Sequence, residues 1–172
     1  LKIYDNPVGV LTNSPTFDIH LFNLNNYMAL SPNFPQNNFS KDLDLIRYSN
    51  GMGAIGMPGD WSSQSRFVKA TFTKMNSACD GSETASVSQF FHILGSVEHQ
   101  RGCVDMGNDL YEITIYSSCC NTDKGIYYYR TYDNSQIVAI DMHRENLDGA
   151  QVISYPLLKE PQIRWQNGIQ LN

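Results

Sequence analysis

The order of the hydrophobic patterns is what most restricts the fold of this chain. After two short apolar runs at the N-terminus, the segments with apolar residues at helical spacing come before the segments with alternating or continuous apolar residues. Runs of helices and runs of strands, instead of the two in alternation, predict an α+β fold with helices packed on an antiparallel sheet. Because 172 residues with 41% apolar content can fill one globular core, residues 1–172 are predicted to form a single domain.

The predicted helices lie in three segments. Thr16 is placed to cap the first, the second follows Arg66, and Ser86 with Gln89 forms a capping-box pattern at the start of the third. Their apolar stripes are Phe17, Leu21, Leu24 and Met28 in the first, Val68, Phe72, Met75 and Cys79 in the second, and Val87, Phe90, Phe91, Leu94 and Val97 in the third.

The remaining segments are predicted to be strands and loops. Two short apolar runs separated by a turn signal predict a β-hairpin over Lys2–Thr12. Residues 31–50 are rich in Pro, Asn and Asp, as surface loops are, with one turn of helix expected at residues 43–46. An antiparallel meander is predicted with strands at residues 111–116, 126–132 and 137–140.

Charge and hydropathy narrow the classes of partner. The net charge is −5 and no run of Lys or Arg is present, so no nucleic-acid partner is expected. No window approaches the roughly 18 consecutive apolar residues of a membrane span, so no membrane association is predicted. The first residues lack the basic and apolar regions of a signal peptide, which favours a cytoplasmic protein. Leu1 is interpreted as an internal cut in a longer protein.

The cysteines, histidines and glycines give no pattern of a metal or cofactor site. The histidines show neither H-E-x-x-H nor a Cys/His tetrad, so no metal and no cofactor are predicted. Gly51–Gly56 satisfies G-x-G-x-x-G, but no strand precedes it and Pro58 follows closely, so a close-packed loop is predicted instead of a nucleotide site. Without a C-x-x-C pair, free thiols are expected at Cys79, Cys103, Cys119 and Cys120.

Asn13 and Arg66 each lie at the predicted start of a helix. On local pattern alone, Asn13 would be a helix N-cap, because Asn is a favoured capping residue. Arg66 would be a surface or ion-paired residue at the start of a helix. A cation is disfavoured at that end of the helix dipole, which suggests an anionic partner nearby.

Several motifs resemble the second half of the choloylglycine hydrolase family of N-terminal-nucleophile amidases. The resemblance covers nearly the whole chain, and the later motifs are more similar to conjugated bile acid hydrolases than to penicillin V acylases. It is carried by Val8 to Pro15 (VGVLTNSP), Gly59 to Phe67 (GDWSSQSRF), Leu21 to Tyr27 (LFNLNNY), Ser88 to Glu98 (SQFFHILGSVE), Tyr116 to Cys120 (YSSCC) and Lys124 to Tyr132 (KGIYYYRTY).

This resemblance implies a fold, a reaction and two site residues. The fold would be the C-terminal half of a four-layer αββα sandwich with antiparallel sheets, in a parent that forms a homo-oligomer, a tetramer. The reaction would be hydrolysis of the amide of a glycine- or taurine-conjugated bile acid by an N-terminal cysteine. Asn13 would supply an oxyanion-hole amide and Arg66 the active-site arginine. Since the nucleophile belongs to an N-terminal half that is absent, the chain alone is expected to be inactive.

Two alternatives to this function stay open at the level of sequence. The parent could be a penicillin V acylase, which shares the same scaffold. The chain could also be a non-catalytic product of a truncated gene that persists as a folding or assembly partner.

Overall fold

The computed structural model of the protein describes residues 2–167 and divides into two compact units. The first unit is Leu1–Cys79 with Ile93–Val97, and the second is Asp80–His92 with Glu98–Asn172. The α-helices are Phe17–Asn23 (α1), Ser63–Asn76 (α2) and Glu83–Gly95 (α3). Short 3₁₀ helices lie at Leu24–Tyr27, Met52–Ala54 and Met142–Arg144. The strands are Asp105–Gly107 (β1), Leu110–Tyr111 (β2), Tyr116–Asn121 (β3), Ile126–Thr131 (β4) and Val138–Asp141 (β5).

The core of the first unit is an aromatic cluster between α1 and α2. Phe67 is fully buried, and its ring meets Phe17 edge-on at 6.1 Å and stacks on the His20 ring at 4.6 Å. Burying an aromatic ring of this size contributes about 2–3 kcal/mol. The predicted stripe on α2 was wrong at Met75, which is 61% exposed, and at Cys79, which is exposed and lies beyond the helix, and it missed Phe67, which occupies the core. The two helices are therefore joined through Phe67.

The hairpin predicted over Lys2–Thr12 is wrong, since this segment contains no strand. Three backbone groups of this segment are hydrogen-bonded to side chains instead of to a partner strand. The Asn6 side chain accepts from the Gly9 amide and donates to the Val10 carbonyl, and Lys74 Nζ donates to the Val8 carbonyl at 2.6 Å. Because a local side chain and α2 satisfy these groups, the two apolar runs do not pair with each other.

The loop over residues 31–50 is confirmed, but the helical turn expected at residues 43–46 is not formed. The loop is pinned at Gly53, whose carbonyl accepts from the Ser31 amide at 2.9 Å. A Cβ at Gly53 would lie 2.0 Å from the Asn33 carbonyl oxygen. The glycine-rich segment is thus the close-packed loop that the sequence predicts, and no strand precedes it in the described chain.

The second unit contains the predicted antiparallel meander, in the order β3-β4-β5. Strands β4 and β5 agree with the prediction, and Tyr128 pairs with Cys119 on one side and Ala139 on the other. The strand predicted at residues 111–116 was displaced. Leu110–Tyr111 pairs with β1, and the meander begins only at Tyr116, because the Thr114 amide and hydroxyl bond to the backbone of His99.

Helix α3 begins three residues before the predicted capping box. Ser82 accepts from the Ala85 amide at 3.2 Å, so Ser86 already lies inside the helix. Glu83, in the first turn, accepts hydrogen bonds from Asn121, Lys124 and Tyr128 of the sheet region. These bonds, that from Lys124 foremost, hold the pKa of Glu83 below its usual value.

A segment after β5 covers one face of the meander. The Thr131 hydroxyl donates to the Leu158 carbonyl at 2.9 Å, and the Leu158 amide donates to the Tyr129 hydroxyl at 3.4 Å. Tyr129 is consequently only 4% exposed. The same segment borders a cavity of about 380 Å³ between Tyr155, Leu158 and β5.

The cysteines agree with one further prediction. All four cysteines are free thiols, and burial raises the pKa of Cys119. No helix within residues 2–167 is long and apolar enough to cross a membrane.

Candidate active site

Asn13 and Arg66, the two residues singled out by sequence, are brought together in the first unit. Asn13 lies in the bend that precedes α1, and Arg66 lies in the first turn of α2. Arg66 Nη2 donates to Asn13 Oδ1 at 2.9 Å, across 53 residues of chain, and Arg66 Nε donates to the Trp61 carbonyl at 3.0 Å. The guanidinium is held at two points and lies in contact with the Asn13 amide.

This contact fixes the orientation of the Asn13 side chain. A guanidinium carries only donors, so the amide atom facing it must be the oxygen. The Nδ2 end, with two N–H donors, makes no hydrogen bond among residues 2–167. The alternative of Asn13 as a helix cap is wrong, because Thr16 occupies the N-cap position of α1. Asn13 therefore presents an oriented pair of donors that no group within the described residues uses.

The bend that carries Asn13 is also tied to the start of α2. The Ser14 amide donates to Ser63 Oγ at 2.9 Å. The first turn of α2 is in turn stabilised by Ser62, which accepts from the Ser65 amide. Asp60 accepts from the Ser62 amide at 2.9 Å and from the Ser65 hydroxyl at 2.6 Å. The serines of this motif thus build the helix start that positions Arg66.

The electrostatic state of this helix start follows from those bonds. Hydrogen bonds from Ser62 and Ser65 lower the pKa of Asp60 to about 2, so the carboxylate is ionised at neutral pH beside the positive end of the helix dipole. Arg66 itself forms no ion pair with a carboxylate of residues 2–167. Within this part of the chain, no carboxylate therefore neutralises the charge of Arg66.

His20 and Ser63 were not recognised as parts of this site from sequence. His20 is fully buried under the Asn13 bend, and its Nε2 lies 3.1 Å from the Thr12 hydroxyl. Burial lowers its pKa, so the ring is neutral at pH 7. A signal existed for Ser63, which belongs to the same serine-rich stretch as Ser62 and Ser65, but no pattern in the sequence points to His20.

No group of three or more His, Cys, Asp or Glu side chains that could hold a metal is found in the part of the chain that the structure describes. The chemistry available at Asn13 and Arg66 is hydrogen-bond donation and positive charge. Both would stabilise an oxygen that becomes negative, and the charge would also favour an anionic nucleophile.

Comparison with known proteins gives the same family throughout. A family model described as linear amide C–N hydrolases, choloylglycine hydrolase family, matches residues 1–155. A bile salt hydrolase/transferase from Lactiplantibacillus plantarum is 64% identical over 94% of this chain and 50% of the relative. One from Clostridium perfringens is 41% identical over 97% of this chain and 51% of the relative. The chain thus spans about half the length of these curated relatives.

Solved structures agree with the sequence comparisons. A variant of conjugated bile acid hydrolase from Clostridium perfringens superposes with a TM-score of 0.86 at 41% identity, over 96% of this chain and 51% of that one. A penicillin V acylase from Agrobacterium tumefaciens superposes with a TM-score of 0.56 at 17% identity, over 78% of this chain and 36% of that one, which shows a shared fold only. The predicted α+β class of an N-terminal-nucleophile hydrolase is confirmed, and the chain belongs to the choloylglycine hydrolase family.

Proposed function

We propose that this chain is the C-terminal half of a bile salt hydrolase and supplies two groups to its active site. Asn13 donates its amide to the developing oxyanion, and Arg66 holds that amide and places positive charge beside the nucleophile. The observation that carries the proposal is the hydrogen bond of 2.9 Å from Arg66 Nη2 to Asn13 Oδ1. It leaves the Asn13 donors oriented and, among residues 2–167, unused, as an oxyanion hole requires.

The proposed reaction uses a cysteine that the N-terminal half of the parent provides. Its thiolate attacks the carbonyl carbon of the amide between a bile acid and glycine or taurine, and the proton of the thiol passes to the cysteine's own α-amino group. The carbonyl oxygen becomes negative and accepts from Asn13 Nδ2. The tetrahedral intermediate collapses, the C–N bond breaks, and the amine leaves with the proton from the α-amino group. Water then hydrolyses the thioester.

The position of Arg66 supports two contributions to this reaction. The guanidinium places a positive charge beside the nucleophile, and this charge favours thiolate over thiol. It also contacts the amide oxygen of Asn13 and the carbonyl of Trp61 at once. A neutral donor such as Asn13 is suited to its own task, because it can be held at the site without the cost of burying a charge.

Penicillin V is the alternative substrate. The solved penicillin V acylase, however, is similar to this chain at the level of fold alone. The names of the relatives at 64% and 41% identity both specify bile salts. Bile acid conjugates are therefore the proposed substrates, and a homo-tetrameric parent is part of the same proposal.

The experiment is a fusion enzyme in which the N-terminal half of the Lactiplantibacillus plantarum relative precedes this chain. Release of amine from glycocholate, taurocholate and penicillin V is measured side by side, with this chain alone as the control. We expect hydrolysis of the bile acid conjugates by the fusion enzyme and none by the chain alone. A preference for penicillin V would overturn the substrate class, and a folded but inactive fusion enzyme would favour the non-catalytic alternative.

A further inference from the structure

His20 is a buried polar residue for which the proposed reaction has no use. It lies in α1, is fully buried, and stacks its ring on Phe67 with centroids 4.6 Å apart. Its Nε2 lies 3.1 Å from Thr12 Oγ1. Its buried Nδ1 makes no hydrogen bond of normal geometry among residues 2–167, although the backbone at Ser14 and Pro15 lies near enough to the ring to act on its pKa. A polar atom buried in this way costs free energy. An apolar side chain would fill the same space without that cost.

Two of the contacts of the imidazole lead to neighbours of the two site residues. Thr12, which bonds to the ring edge, immediately precedes Asn13 in the chain. Phe67, which stacks on the ring face, immediately follows Arg66 on α2. One ring therefore touches the neighbour of each member of the Asn13–Arg66 pair.

The hydrogen bond to Thr12 can orient the bend that carries Asn13. The Thr12 hydroxyl can donate or accept, so either neutral tautomer of His20 keeps the bond. The neutral ring is also the form that burial favours. The bend is held from its other side by the bond from the Ser14 amide to Ser63 Oγ, at 2.9 Å. Asn13 therefore lies between two anchored neighbours, Thr12 and Ser14.

We propose that His20 is a positioning residue, whose bond to Thr12 sets the direction of the Asn13 amide relative to Arg66. This inference rests on the proposed function, because a direction matters only if Asn13 donates to the reacting oxygen. The alternative is a purely structural role, in which His20 only fills space between α1 and α2. The two hypotheses differ in whether the hydrogen bond to Thr12 affects kcat, because packing depends on the ring alone.

Three variants of the fusion enzyme separate the bond from the packing. His20→Phe keeps an aromatic ring to stack on Phe67 and loses the bond to Thr12. Thr12→Val loses the same bond from the other side while conserving volume. His20→Gln gives up the stacking but places an amide where Nε2 was, and so can restore the bond. Thermal unfolding of each variant reports the contribution of packing.

We expect His20→Phe and Thr12→Val each to lower kcat about three- to tenfold with KM unchanged, the effect of losing one neutral hydrogen bond. The double variant should lose no more than either single one. His20→Gln should recover most of kcat even where its melting temperature falls. In an Asn13→Ala background, His20→Phe should have no further effect on kcat.

The outcomes distinguish this inference from the proposed function. Full activity of Asn13→Ala would overturn the oxyanion role and the proposed function with it. A large loss in Asn13→Ala together with unchanged kcat in His20→Phe and Thr12→Val would overturn only the role of His20. A kcat that follows the melting temperature through all variants, His20→Gln included, would leave His20 as packing. The NMR signals of the Asn13 side-chain amide, which need no turnover, should shift in Thr12→Val and stay in place if the bond has no positioning effect.

Discussion

The contact between Arg66 and Asn13 predicts that the two residues act as one unit, and a double-mutant cycle in the fusion enzyme measures this. Asn13→Ala removes one oxyanion donor, which costs about 10²–10³ in kcat with little change in KM. Arg66→Lys keeps the positive charge. It cannot bond the Trp61 carbonyl and Asn13 Oδ1 together, as the guanidinium does at 3.0 and 2.9 Å.

The magnitude follows from what each change removes. If Arg66 acts on the oxyanion only by holding the Asn13 amide, Arg66→Lys cannot lower kcat more than Asn13→Ala, which deletes that amide. We expect Arg66→Lys to lower kcat by about ten- to hundredfold alone, and by less than about threefold once Asn13 is Ala, a coupling of about 1–2 kcal/mol. Arg66→Gln serves as the matched comparison because it removes the charge as well.

The assay is steady-state release of glycine from glycocholate, followed over pH for all variants. Arg66→Gln should shift the pH profile of kcat/KM upward, since the thiolate loses a favourable charge, whereas Arg66→Lys should leave its midpoint nearly in place. Additive effects of Asn13→Ala and Arg66→Lys would refute the argument, because they would mean that the arginine does not work through the amide.

Three further predictions, all made for the fusion enzyme, concern contacts within the first unit. Ser63→Ala removes the acceptor of the Ser14 amide and should lower kcat about three- to tenfold, with Arg66 chemistry intact and the pH profile unmoved; an unchanged kcat would show that the bend is held without it. Gly53→Ala should lower the melting temperature, because the new Cβ would lie 2.0 Å from the Asn33 carbonyl oxygen. The control Gly59→Ala, which has open space around its Cβ, should not lower it. Equal melting temperatures of the two variants would contradict the close approach at Gly53. The unfolding free energy should fall as pH drops below about 6.5, because His20 takes up a proton in the unfolded chain while burial lowers its pKa in the native state. His20→Phe should make the unfolding free energy depend less steeply on pH. An equally steep dependence in both proteins would count against a buried neutral ring.

Elements defined by local pattern could be predicted from the sequence. Helix α1 and strands β4 and β5 lie where periodicity and turn residues indicate, because their signals are contained within a few residues. The hairpin could not be excluded in this way. Lys74 donates to the Val8 carbonyl from a residue 66 positions away, and no local pattern reports that bond.

The site was predictable only in part. Resemblance of motifs selects Asn13 and Arg66, but spacing in the sequence does not place them within 2.9 Å of each other. The stacking of His20 on Phe67 and the bond from Ser14 to Ser63 are among the contacts that bring their segments together. The predicted stripe on α2 missed Phe67, so the contact that aligns the helices was missed with it.

The cover over Tyr129 has a consequence for how far the chain can be shortened. The family model matches only as far as residue 155, yet the backbone of Leu158 bonds to both Tyr129 and Thr131. Trimming the protein at the limit of the family match would keep all of β4 and strip two of its partners, leaving the Tyr129 hydroxyl and the Thr131 hydroxyl to water. The physical boundary of this unit therefore extends at least to Leu158, beyond the boundary that the family match defines.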